Sequence, residues 1–201
     1  MSDTHITAKD GHMFKNIVFR LKRRAIRQSP FPNLTQSLTL FVGGRRYRVP
    51  LVGRFFTDLA EPFMLDFLQS AFKAKDGTIF DVGVNTGQTL MAVKALDTQR
   101  LYIGVEPNPI CVAYTEQLIS LNHLDNCKIL PVGLGDANGL VELQMYSASS
   151  MDSAASMIEN FRPDQPPLSR RFVPVMDFRT IAQSVNYAQL GIVKIDVEGA
   201  E

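Results

Sequence analysis

Three apolar runs that end on carboxylates constrain this chain more than anything else in it. Thr78–Val82 carries Asp81 and turns at Gly83, Asn85 and Gly87; Leu101–Val105 closes on Glu106; Ile192–Val197 carries Lys194 and Asp196 ahead of Glu198. Helical spacing follows the first run from about Gln88 to Leu96. It follows the second from about Pro109 to Leu121, ahead of a further strand-like run at Lys128–Val132. A strand–helix–strand–helix–strand order requires parallel strands with crossover helices, so the fold class expected is α/β, a parallel sheet with helices on both faces. Acids at the carboxyl ends of such strands sit at the crevice where open α/β sheets bind ligands.

The composition, 45% hydrophobic and 20% charged, is that of an ordinary globular chain. No apolar run reaches the roughly 18 residues of a membrane span, and Lys15, Asn16 and Arg20 interrupt the one N-terminal apolar segment, so no secretory pattern is expected. Cys111 and Cys127 lack C-x-x-C spacing and are expected to be reduced thiols of a cytoplasmic protein. Of the histidines, His5 and His12 fall in the tail and His123 in a helix-to-strand loop, so no metal site is expected.

The net charge of +1 conceals an asymmetry. Residues 11–57 hold ten Lys or Arg and no acid, whereas residues 58–201 carry a net charge of −8. The chain is accordingly divided into a basic N-terminal extension, 1–60, and a main domain, 61–201. Within the extension, Phe14, Ile17, Val18, Leu21 and Ala25 recur at helical spacing with a basic opposite face. Such a helix, over residues 13–27, either lies on an anionic membrane surface or glycan carrier, or packs its stripe on the main domain. A linker at Ser29–Asn33 follows, then a β-hairpin in which Leu38, Leu40 and Val42 alternate, Gly43-Gly44 turn, and Tyr47, Val49 and Leu51 alternate. Glu61–Ala74 reads as an amphipathic helix. Val141–Tyr146 reads as an edge or hairpin strand, Phe172–Val175 as a short extended segment and Phe178–Val185 as a short helix.

The turn Asp81-Val82-Gly83-Val84-Asn85-Thr86-Gly87 lacks the third glycine of the dinucleotide fingerprint, which suits a donor with no pyrophosphate to wrap. The cofactor expected is S-adenosyl-L-methionine, with Asp81 facing its charged methionine end and the carboxylate of Glu106 accepting both ribose hydroxyls. Gly135-Asp136 falls where the adenine amine would lie, although Gly-Asp is also ordinary turn chemistry. Lys194, Asp196 and Glu198, spaced by two, are placed on one strand face to bind an acceptor hydroxyl, with Asp196 a candidate base.

These residues resemble the FkbM-type S-adenosylmethionine-dependent methyltransferases. The similarity is carried by EPFMLDFL, TIFDVGVNTGQ, YIGVEPNP, the Asn122–Asn126 stretch, PVGLGD and IVKIDVEGAE, over about residues 61–201. It implies a class I methyltransferase, Rossmann-like fold and O-methylation of a hydroxyl on a sugar, glycan or natural product, with no nucleic acid expected. By the resemblance, Asp81, Gly83, Asn85 and Gly87 contact the methionine portion and Glu106 the ribose; Thr86, Pro107, Gly135 and Asp136 are the further cofactor-binding candidates. Lys194, Asp196 and Glu198 border the reacting centre. Met176 and Phe178 depart from the family's usual form. A class I sheet has seven strands and this chain reaches the fourth, so the expectation is a sequence truncated at the C-terminus, its last strand left as an unpaired edge. The alternative reading is a non-catalytic module whose basic region binds an anionic partner.

Overall fold

A computed structural model of the chain describes residues 37–52, 55–57, 62–185 and 189–198. The amphipathic segment 13–27 and the Ser29–Asn33 linker lie outside the described residues.

The first element is a hairpin, β1 (Ser37–Val42) and β2 (Arg45–Pro50), closed by Gly43 and Gly44. Both glycines have positive φ, +53° and +85°, the requirement of a two-residue turn that follows the strand twist. Its inner face, Leu38, Leu40, Val42, Tyr47 and Val49, is buried and belongs to the same core as Leu90 and Met91 of the main domain. Tyr47 donates its hydroxyl to the Met91 carbonyl at 2.9 Å. Asn122 accepts from the Arg48 amide and donates to its carbonyl, both at 2.7 Å, as a neighbouring strand would. The hairpin that the charge pattern grouped with the basic extension thus shares the core of residues 61–201.

Next come α1 (Pro62–Ala74), β3 (Thr78–Val82), α2 (Gln88–Leu96), β4 (Tyr102–Val105), α3 (Pro109–Asn122) and β5 (Cys127–Leu130). β6 (Gly133–Gly135), β7 (Gly139–Met145), β8 (Ser169–Asp177), α4 (Phe178–Ser184) and β9 (Leu190–Ile195) complete the order. Four strands form a parallel sheet in the order β5-β4-β3-β9. The chain steps outward from β3 to β5 and then returns to the other side of β3, so the strand order reverses between β3 and β9.

β3 is buried along its whole length, and its alternation feeds two cores. Ile79 and Tyr102 point into the cluster built by α2, α3 and the hairpin. Phe80, Val82, Ile103 and Val105 point to the opposite face, where Ile181 and Val185 of the α4 segment cover them. Helices on both faces follow from that two-residue period. Among the described residues β9 is the sheet edge, and its Val193 and Ile195 are 47% and 49% exposed.

The largest difference from the sequence reading is a second sheet, β6-β8-β7. Phe172–Val175 was expected as a short extended segment; β8 instead runs nine residues and lies in the middle of this sheet. Pro174, which cannot donate to a ladder, sits opposite Leu140 inside it, and a proline ordinarily argues against a central strand. Two boundaries also move: Lys128–Val132 is expected as one strand, but β5 ends at Leu130, and Pro131 and Val132 form a bend ahead of β6. Ile192–Val197 becomes Leu190–Ile195, which places Asp196 and Glu198 beyond the strand. No helix among the described residues is long and apolar enough to cross a membrane.

Candidate functional site

The tip of β3 is stitched to both neighbours. Gly83 donates its amide to the Val105 carbonyl at 3.0 Å, and the Asp196 amide donates to the Val82 carbonyl at 3.1 Å. Gly83 has φ +85°, and a Cβ there would overlap the Asp196 carbonyl oxygen. The close approach of β9 therefore demands this glycine, in addition to any ligand above the turn. Asn85 holds a left-handed φ of +48°, which asparagine tolerates better than most residues. Behind the turn, Thr86 and Thr57 share a hydrogen bond between hydroxyls at 2.8 Å, and Thr115 donates to the Asn85 carbonyl at 3.0 Å. Thr86 and Gly87 support the turn from the core side, while Gly83, Val84 and Asn85 face a cavity.

Glu106, one residue past β4, is 7% exposed. One carboxylate oxygen accepts the Asn85 amide and the other the Asn108 amide, each at 2.8 Å. Burial pushes its carboxyl above the usual range; the two amides act in the opposite direction. Each oxygen retains a further acceptor site, which suits a pair of vicinal hydroxyls.

Asn108 caps α3 by accepting from the Ile110 amide at 3.1 Å, with Pro109 in the first turn. Its amide nitrogen donates to the Ser150 carbonyl at 2.9 Å and so ties the β7–β8 loop to the site. Asn108→Ala removes a cap and a buried tether together. The expected loss is about 2 kcal/mol of unfolding free energy in a denaturant titration.

Asp81 is fully buried. One oxygen accepts the Tyr102 hydroxyl; the other lies 3.0 Å from the Lys194 ammonium, an ionic contact outside hydrogen-bond alignment. Burial raises the Asp81 carboxyl above its ordinary value, and the Lys194 charge opposes that shift. The parallel register places Asp81 opposite Lys194, which explains how residues so distant in sequence meet. Lys194 also donates to the Gly83 carbonyl at 3.1 Å and lies 3.4 Å from Asp196. Glu198 does not join that group. Its carboxylate pairs with Arg162 at 3.1 Å, and its carbonyl accepts the Ser156 hydroxyl at 2.6 Å.

These residues border a cavity of about 260 Å³ at the carboxyl ends of β3, β4 and β9. Gly83, Asn85, Glu106, Pro107, Lys194, Asp196 and Glu198 line it, whereas Asp81, Thr86 and Gly87 stand behind its wall. Gly135 and Asp136 are not on the lining; Gly133 and Leu134, two positions earlier, take that place, and Asp136 is exposed on the turn after β6. Sequence reasoning missed Gln88 and Thr89, in the first turn of α2, and Met157 on the β7–β8 loop. Ser153, Ala155, Ser156 and Met157 supply the loop wall, and the first three fall in Ser147–Ser156, a Ser- and Ala-rich stretch whose position in the sequence suggests a lining of the acceptor pocket. Asp152 organises the loop by accepting from the amides of Tyr146, Ser147 and Ala154 at 2.6, 2.8 and 3.1 Å.

A nucleoside donor fits this donor set: an open glycine turn at one end, a fixed buried carboxylate for hydroxyls beside it, and acids for a cationic end. Residues 81–201 match the model of the methyltransferase FkbM domain. No protein with a curated description matches the chain. Among solved structures, the chain is similar to Pyrococcus horikoshii TYW2 in complex with MeSAdo, at 14% identity and a TM-score of 0.36 over 49% of this chain and 36% of that one. It is also similar to the M. jannaschii tRNA m1G37 methyltransferase (16% identity, TM-score 0.31, 50% of this chain and 29% of that one). Trm5b from Pyrococcus abyssi gives 19% identity and a TM-score of 0.32 over 49% of this chain and 29% of that one. The chain spans well under half the length of each of these structures. The domain match takes in well over half of the chain, including the β3 turn, Glu106 and the Lys194–Glu198 stretch, and the chain belongs to the FkbM methyltransferase family, whose cofactor is S-adenosylmethionine.

Proposed function

We propose that this chain carries the donor site of an S-adenosylmethionine-dependent O-methyltransferase acting on a hydroxyl of a sugar, glycan or natural product. The observation that carries the reading is the cavity at the carboxyl ends of β3, β4 and β9, with Glu106 pinned at its edge by two backbone amides. S-adenosylmethionine supplies a methyl group already activated on a sulfonium, so the protein's task is chiefly to position the acceptor and exclude water. Glu106 and Pro107 hold the ribose end, and Gly83 and Asn85 leave room for the methionine end. Gly133 and Leu134, in place of the expected Gly135 and Asp136, stand nearest the adenine position. Asp196 and Glu198 border the end where the methyl group is transferred, and the β7–β8 loop walls it.

Methyl-labelled donor incubated with the protein and a panel of mono- and oligosaccharides tests the acceptor class. The expected product carries label in the saccharide fraction that survives alkali, as a methyl ether does. Label that alkali releases, or that appears only in nucleic acid or protein, contradicts O-methylation of a sugar hydroxyl.

A further inference from the structure

Charge distribution at the donor cavity separates the roles of two carboxylates, Asp81 and Asp196. Asp81 and Asp196 share one cation, Lys194, so this group of three carries one negative charge in excess. The lysine ammonium is 3.0 Å from Asp81 and 3.4 Å from Asp196, and its side chain is only 13% exposed. Asp81 is fully buried, does not reach the cavity wall and depends on this ammonium for its compensation. A buried carboxylate retains its partner far more strongly than an exposed one, because separation would leave an unpaired charge out of water. Lys194 therefore belongs to Asp81, and the excess charge resides on Asp196, whose side chain is 78% exposed and lines the cavity.

The other acids on the lining are already engaged. Glu198 is paired with Arg162, Asp152 accepts three backbone amides, and Glu106 is held by two amides at the opposite strand tip. Asp196 also stands beside the glycine turn, since its own carbonyl is the atom that a Cβ on Gly83 would strike.

We infer that Asp196 receives the α-ammonium of the donor's methionine end, and that the Asp81–Lys194 pair is electrostatically silent toward the donor. The inference rests on the donor-site reading above. It gives Asp196 a binding task in place of the proton-abstracting one expected from the sequence, and it removes Asp81 from direct contact with the cofactor.

Two ligands separate the possibilities. S-adenosylhomocysteine carries the amino-acid end, and 5′-methylthioadenosine keeps the adenine and ribose without it. Calorimetric titration of both into the wild type, Asp196→Asn and the double variant Asp81→Asn/Lys194→Met reads the effect directly. Asp196→Asn is expected to weaken S-adenosylhomocysteine about ten-fold, the scale of one charge-assisted contact, and to leave methylthioadenosine within about two-fold. The double variant is expected to keep the wild-type preference between the two ligands. Unchanged or tightened S-adenosylhomocysteine binding by Asp196→Asn overturns the inference, as does equal weakening of both ligands. A double variant that folds and loses the preference overturns it as well. If the double variant does not fold, Asp196→Asn decides alone, being an exposed change. A folded wild type that binds methylthioadenosine but shows no preference for S-adenosylhomocysteine overturns the inference and leaves the nucleoside site standing. A folded wild type that binds neither ligand removes the donor-site reading itself, and this inference with it.

Discussion

Gly83→Val is expected to abolish S-adenosylhomocysteine binding and to lower the unfolding free energy by about 3 kcal/mol or more. Two independent effects add at this position. The φ of +85° is strained for any L-residue with a Cβ, most of all a β-branched one. The added carbon also meets the Asp196 carbonyl oxygen, with the Val197 side chain at 3.0 Å. These neighbours are on the segment that extends β9, so relief of the overlap must pull the tip of β3 from the tip of β9. The Val82–Asp196 backbone bond and the Lys194 bond to the Gly83 carbonyl would both be disturbed. Calorimetry and a thermal melt on the same preparation check both halves. A variant that melts like the wild type and still binds the ligand would show that the approach of β9 is not what fixes this residue.

Glu106→Gln is expected to weaken S-adenosylhomocysteine by about 100-fold, because one anionic acceptor serves two backbone donors and, on the proposed reading, the ribose as well. Glutamine keeps one carbonyl oxygen and turns the other position into a donor, which faces either the Asn85 or the Asn108 amide. The pH dependence follows from the same group. Ionised Glu106 is the accepting form, and burial holds its carboxyl above the usual carboxylate range. Donor affinity should therefore fall as pH drops through that raised value, and recover as pH rises past it. Binding by Glu106→Gln should lack this step. Titrations across the acidic range in matched buffers check it; equal pH profiles for the two proteins would take Glu106 out of the donor site.

The parts of this molecule that local chemistry dictates were legible in the sequence. The β3 turn, the capped α3 after Glu106 and the Gly43-Gly44 hairpin all rest on residues within a few positions of each other. What depends on strand adjacency was not. That Asp81 faces Lys194 follows from β9 lying beside β3 in a particular register, which a spacing of two along β9 does not contain. Glu198 was expected beside Asp196, but the chain leaves the strand after Ile195 and takes the side chain to Arg162 on the β7–β8 loop. The second sheet escaped notice because Pro174 interrupts the signal of its middle strand. Gly135-Asp136 looked like an adenine contact, yet the chain enters β6 two residues earlier and presents Gly133 and Leu134 instead.

The central claim is that the cavity at the ends of β3, β4 and β9 is a donor site, and titration of S-adenosylhomocysteine against NAD measures it most directly. Saturable micromolar binding of S-adenosylhomocysteine by the folded chain, with no heat from NAD, is the predicted result. A folded chain that binds NAD, or that binds neither ligand, would contradict it.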